Sequence, residues 1–301
     1  MPIRCIVDGF FRSGTTMVWK ILRDSNPGKT VFYEPLNPAA KAKLALGEHN
    51  PVHRVHGIRL WGEYAKLGKH QLDYLDGLTR QLHKKPSKYT FLEVMQFFDG
   101  LPGEIILQTN RLQPYMKLME NYQNVPLLYI IRNPKDVLNS IERYVSRIVE
   151  NKGLLRATKE FYWKYWQGAH PRSHYFGGWK PIDFMFEQYR LPTNWPQIRS
   201  YVLKNPQAMY LINYVLRNYV ALVECHLGKH WVLYEDVVSK PEILGTLLAE
   251  YDIGFNYENE IEKRETDTGH YTDHEVLYMM DYLGMVAYYR ALLERLGLPR
   301  P

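Results

Sequence analysis

Apolar positions along this chain fall into short continuous runs, and between them lie stretches with helical spacing. IRCIVDGF at 3–10 is mostly apolar with Gly9 near its end, and TMVWKILRDS shortly after it repeats at helical intervals. TVFYE at 30–34, EIILQT at 104–109, PLLYIIR at 126–132 and HWVLYED at 230–236 read as further strands. Helical patterns cover 38–46, parts of 60–83, QPYMKLMENY, 134 to about 148, 207–227 and KPEILGTLLAEY. Pro114 and Pro134 stand in the first turn, where a proline is favoured. The segment 272–298 reads as one long amphipathic helix. Buried strands alternating with helices predict an α/β fold of three layers, with a parallel sheet of about five strands flanked by helices. The chain is expected to form a single domain over 1–301. Between Trp163 and Tyr201 it becomes rich in aromatics, Pro and Gly, and 160–205 is read as an acceptor-binding insertion.

Composition narrows the partners. Of 301 residues, 24 are Tyr and 7 Trp, which gives either a Tyr-rich core or a ligand surface of flat rings. Net charge is +6, suited to an anionic ligand. A nucleic acid would call for a long basic run, a recognition-helix signature or zinc spacing, and the sequence has none of these. Cys5 and Cys225 are too few and too far apart for a disulfide framework, and a reduced state fits the cytoplasm. No signal peptide and no membrane span is read, so a soluble cytoplasmic protein is expected. The last helix can pack on the body or on a second subunit, so a homo-oligomer stays open.

GFFRSGTT at 9–16 carries the first chemistry. Gly9, four residues and Gly14 have the spacing of a phosphate loop between strand and helix. Backbone N–H groups and the helix dipole make an anion site there, and Thr15 and Thr16 add hydroxyls. A nucleoside triphosphatase would place Lys where Thr15 stands, to reach the outer phosphates. Here Arg12 is the loop's cation, which suits metal-free transfer with a fixed charge on the leaving group. Asp8, inside the strand, reads as structural. Arg132 and Ser140 in YIIRNPKDVLNS form a second pair, an Arg at a strand end and a Ser eight residues on, able to grip one phosphate.

Taken together these residues resemble the sulfotransferases that use 3′-phosphoadenosine 5′-phosphosulfate. FFRSGTT is similar to that family's 5′-phosphosulfate loop, RNPKDVLNS to its 3′-phosphate motif, and LYEDVVSKPEILGTLLAEYDIGF to its late strand–helix element. RSGTT with the following YEPLNP resembles the carbohydrate-type branch and its bacterial relatives. The resemblance implies a P-loop-like sulfotransferase fold and places Arg12, Ser13, Gly14, Thr15, Thr16 and Met17 around the 5′-phosphosulfate. It sets Arg132 and Ser140 on the 3′-phosphate and Tyr234 near the adenine. A late basic loop is unclear here, with Lys263 and Arg264 as the nearest match.

An alcohol acceptor needs a general base. Glu34 is the first candidate, at the end of the second strand, and the resemblance supports it. A structural carboxylate is the other reading. His53 and His56 are alternatives because an unperturbed His titrates near neutrality. With His49 they lack a second ligand cluster, so no metal is expected. Arg111 can hold an acidic acceptor or form an ion pair, and 174–195 can supply an aromatic acceptor wall. The expected activity is sulfuryl transfer to a hydroxyl on a carbohydrate or other small molecule. A magnesium-dependent kinase and an inactive nucleotide-binding module remain as rivals.

Overall fold

The computed structural model describes residues 2–10, 13–46, 60–122, 125–140, 143, 206–224, 231–257 and 271–298, without the side chains of 120–122, 206–209 and 224. Its centre is a five-stranded sheet of β1 (Ile3–Gly9), β2 (Thr30–Tyr33), β3 (Ile105–Gln108), β4 (Leu127–Ile131) and β5 (Trp231–Leu233), in the order β2-β3-β1-β4-β5. The pairs β1–β3, β1–β4 and β2–β3 are parallel, with Ile6 opposite both Leu107 and Leu127 and Gly9 opposite Ile130. Every residue of β3 and β4 is buried, the pattern of a parallel sheet covered on both faces. This is the α/β fold, with a parallel sheet flanked by helices, that the runs of apolar residues predict.

The helices among the described residues are α1 (Thr15–Ser25), α2 (Ala40–Ala45), α3 (Lys69–Lys84), α4 (Lys88–Asp99), α5 (134–140), α6 (Pro206–Tyr219), α7 (Tyr234–Ser239), α8 (Glu242–Ala249), α9 (Asp273–Tyr282) and α10 (Val286–Leu296). Tight 3-10 turns occupy Gly62–Lys66 and Gln113–Tyr122, and a π turn at Val220–Glu224 extends α6. Leu75, Leu78 and Leu82 bury one face of α3. Helix α4 has no counterpart among the predicted elements, although Phe91, Val94, Met95 and Phe98 repeat at helical spacing and the Ser87 hydroxyl accepts from the Thr90 N–H.

Two elements differ from expectation. The run read as a strand over 230–236 stops at Leu233, and Tyr234 opens α7 with Glu235 and Asp236 in its first turn, where the helix dipole favours acids. The single helix read over 272–298 is two helices. Gly284 adopts φ 67° between α9 and α10, a left-handed conformation that stops a helix.

By contacts the chain divides into two compact units. One comprises Met1–Gly9, Gly14–Ile130 and His230–Glu262, and the other Phe10–Ser13, Ile131–Lys229 and Lys263–Pro301. In the first, Trp19 and Cys5 are fully buried, and burial pushes the Cys5 thiol up to about 12, so it serves as a small apolar side chain. In the second, α6 packs on α10, and Tyr219 meets Tyr288 edge-on at 5.0 Å. Among the described residues no helix is long and apolar enough to cross a membrane.

Asn26 ends α1 and ties it to a segment far along the chain. Its amide donates to Leu22 O at 2.7 Å and Gly254 O at 2.9 Å, and its Oδ1 accepts from Gly254 N at 2.9 Å. The Asn26→Ala substitution leaves buried backbone groups unpaired and should destabilise the protein by about 2 kcal/mol in urea unfolding. An unchanged midpoint would show that this tie carries no weight.

Candidate active site

Strand β1 runs into α1 through a turn that only glycine permits at two places. A Cβ on Gly9 would lie 2.4 Å from Ile130 O and 2.9 Å from Thr15 Cγ2, because β1 and β4 are in register there. Gly14 has φ 81° and precedes α1, and a Cβ on it would meet the Tyr234 ring at 2.1 Å. The ring of Tyr234 is thus seated against the loop glycine. Gly14 O starts the helix by accepting from Met17 N and Val18 N at 3.0 and 3.2 Å. Among the described residues no side chain caps this N-terminus, and its first turn holds no acid. Both features favour an anion from solution at the orphan N–H groups.

Thr15, in the place of the kinase lysine, is buried with its methyl against Gly9. Thr16 Oγ1 shares a 2.7 Å hydrogen bond with Tyr33 Oη. Tyr33 packs against Trp19 and Trp61, each at 5.0 Å between centroids. Asp8 is fully buried and accepts from Gln113 Nε2 at 2.6 Å.

Glu34 follows β2 and is buried in a polar cluster of the same unit. Its Oε1 accepts from Asn110 Nδ2 at 2.7 Å, and its Oε2 accepts from Asn37 Nδ2 and lies 3.5 Å from Arg111 Nη1. Arg111 in turn donates to Asn110 Oδ1 at 2.6 Å. Lys43 Nζ stands 4.2 Å over the Trp61 ring. Burial opposes ionisation of Glu34, but the Arg111 and Lys43 charges and the Asn37 and Asn110 amides outweigh it and hold its carboxyl below the usual 4.5. Burial also pulls the Lys43 ammonium down, against the Glu34 charge. Glu34 has φ 49° immediately before Pro35, and Trp61 has φ 59°. Such conformations cost roughly 1–3 kcal/mol each and persist where the surroundings over-determine them. The sequence points to Glu34 and Arg111. Asn37 stands in the same YEPLNP run as Glu34. The sequence gives no sign that Asn110 and Lys43 join the cluster, which they do through the fold.

The second unit holds the other motif residues. Phe10 O accepts from Ser13 N at 3.1 Å, closing the turn of the loop. The Ser13 hydroxyl is fully buried and has no hydrogen-bond partner among the described residues. In RNPKDVLNS, Asn133 caps α5: its Oδ1 accepts from Lys135 N at 3.0 Å, and Pro134 takes the first position. Asn139 exchanges two hydrogen bonds with the backbone of Tyr271, and Lys135 pairs with Asp273 at 3.1 Å, so the described part of this helix is tied at two points. Ser140 is buried on it. Arg12, His53, His56, the 174–195 stretch, Lys263 and Arg264 lie outside the described residues. Among the described residues no group of three or more His, Cys, Asp or Glu is placed to hold a metal.

No family model matches this chain. An uncharacterized protein from Archaeoglobus fulgidus is 26% identical over 272 residues, 85% of each chain. Among solved structures, the chain is similar to the sulfotransferase domain from the curacin biosynthetic pathway, with TM-score 0.45 and 12% identity over 100% of this chain and 99% of that one. It is also similar to a sulfotransferase from Alicyclobacillus acidocaldarius, with TM-score 0.43 and 14% identity over 98% of this chain and 96% of that one. A third similar structure, the sulfotransferase domain of the Synechococcus PCC 7002 olefin synthase, has TM-score 0.43 and 14% identity over 99% and 96%.

Two outcomes are expected. Gly14→Ala should destabilise strongly in the native background. In a Tyr234→Ala background the clash is gone, and only the left-handed backbone cost of about 1–2 kcal/mol should remain. Equal losses in both backgrounds would show that the ring does not press on the glycine. The depressed carboxyl of Glu34 should add stability above its ordinary 4.5 that is lost as pH falls through its lower folded value. Urea unfolding from about neutrality to about pH 3 should therefore be less pH-dependent in Glu34→Gln, which itself costs about 3 kcal/mol at neutrality. A variant with the full acid dependence would contradict this.

Proposed function

We propose that this chain is a sulfotransferase that moves a sulfuryl group from 3′-phosphoadenosine 5′-phosphosulfate to a hydroxyl on a carbohydrate or other small acceptor. The observation that carries the reading is the loop without a lysine: an uncapped helix N-terminus after Gly14, preceded by a buried Ser13 hydroxyl with no partner among the described residues. A buried hydroxyl left unpaired is costly, and an anion held by the loop would satisfy it. A kinase reading needs a cation at position 15, where the structure has a buried threonine.

Transfer forms a bond from acceptor oxygen to sulfur, breaks the bond from sulfur to phosphate oxygen and releases adenosine 3′,5′-bisphosphate and a proton. The loop amides, Ser13, Thr16 and Arg12 supply fixed donors for the charge that develops on the leaving phosphate. By the resemblance, Arg132 and Ser140 take the 3′-phosphate and Tyr234 the adenine. The packing of Tyr234 on Gly14 supports a place for that ring beside the loop. Glu34 is the base candidate among the described residues, with His53 and His56 as candidates beyond them. For Glu34 to act, Asn37 or Asn110 must yield one of its oxygens to the acceptor hydroxyl. Its present contacts also give it a second task, the holding of Arg111 and Lys43.

The pH profile separates the candidates. If Glu34 is the base, its lowered carboxyl stays ionised through the neutral range, and kcat/KM has no acid limb above about pH 5. An acid limb near about 6.5 would assign the proton to a histidine. Transfer of labelled sulfate to a panel of hydroxyl acceptors, without added metal, tests the function itself. Arg12→Ala and Ser13→Ala should slow it by roughly 100- to 1000-fold. Transfer at the wild-type rate by both variants would overturn the site.

A further inference from the structure

Helix α6 carries a row of large side chains that the function above does not use. Tyr210, Tyr214 and Arg217 recur at helical spacing, so they share one face. All three are buried. The Tyr210 and Tyr214 rings meet Phe10 at 5.1 and 5.5 Å, and the Arg217 guanidinium lies 5.5 Å from the centre of the same ring. Phe10 is the first residue of the turn that Ser13 closes. The Tyr214 hydroxyl also donates to the backbone carbonyl of Arg132. One side chain therefore touches both phosphate motifs, its ring on the first and its hydroxyl on the second.

The contact has a physical reason. Strand β4 ends at Ile131, so the Arg132 carbonyl has left the ladder and takes its donor from elsewhere. A fully buried tyrosine likewise needs a partner for its hydroxyl. Asn218 Nδ2 donates to Tyr214 O at 2.7 Å, which holds the helix backbone where the tyrosine emerges. The anchor thus acts on the backbone from which the Arg132 side chain starts.

We propose that Tyr214 is a positioning residue for the 3′-phosphate: its hydroxyl fixes the Arg132 backbone, and its ring fixes the adjoining loop at Phe10. The inference rests on the assignment of Arg132 to the 3′-phosphate made above. It predicts a selectivity effect, because AMP has the 5′-phosphate and lacks the 3′-phosphate. Tyr214→Phe keeps the ring on Phe10 and removes the hydroxyl alone.

The test is calorimetric titration of the full chain with adenosine 3′,5′-bisphosphate and with AMP. The wild type should prefer the bisphosphate. Tyr214→Phe should lose about tenfold of that preference, the scale at which removing a partner behind a binding group is felt, with AMP affinity unchanged. Arg132→Ala should lose the preference by the same route and further. Tyr219→Phe, which removes a hydroxyl from a ring packed on Tyr288, should keep it. A Tyr214→Phe protein with the wild-type ratio, or with equal losses for both nucleotides, overturns the proposal and leaves the function standing. A wild type without preference for the bisphosphate overturns the assignment of Arg132, and the proposal with it.

Discussion

Among the described glycines, Gly9 and Gly14 leave the least room for a side chain. At Gly9 the neighbouring strand's carbonyl, and at Gly14 the Tyr234 ring, occupy the space a Cβ would take. The close approach at Gly9 comes from the β1–β4 register, and the left-handed turn at Gly14 lets α1 start with its N–H groups uncovered. From that helix Thr16 reaches Tyr33, and Tyr33 leads to Trp61, on whose ring Lys43 sits. The loop's geometry is in this way continuous with the polar cluster around Glu34. A side chain added at either glycine would disturb the turn before it disturbed any ligand.

Charge is handled in two different ways. Around Glu34 the carboxylate is saturated by two amides and faced by two cations, so the group is held ionised and in place. At the loop, among the described residues, the helix is left without a side-chain cap and the Ser13 hydroxyl without a partner. A structure that satisfies one buried polar cluster and leaves the next unsatisfied has a reason for the difference. Under the function proposed above, an anionic ligand at the loop would supply that reason, and the fixed donors there would need no rearrangement to receive it.

The sheet was legible in the sequence because four of its strands are continuous apolar runs ended by Gly, Glu, Thr or Arg. The loop and the Asn133–Pro134 start of α5 were legible because their cues are local. Structure and expectation part where two local signals compete. Tyr234 and Glu235 extend an apolar run, yet the acids suit a helix start, and the strand stops at Leu233. At Gly284 the amphipathic spacing continues while the backbone turns left-handed. The long-range partners in these clusters are not marked in the sequence. Asn110 lies 76 residues from Glu34 and Arg132 lies 82 residues from Tyr214, and no periodicity encodes such pairs. A lone Asn or Tyr in a helical or loop pattern carries no mark of what it will hold.

The account stands on the loop being a site for a nucleotide 3′,5′-bisphosphate rather than for a metal-bound triphosphate. Calorimetric titration with adenosine 3′,5′-bisphosphate, beside ATP with magnesium, addresses that directly. The account predicts tight binding of the bisphosphate with no metal present and weak binding of ATP with magnesium. Binding of ATP with magnesium alone would contradict it, and GFFRSGTT would then be a kinase loop that has lost its lysine.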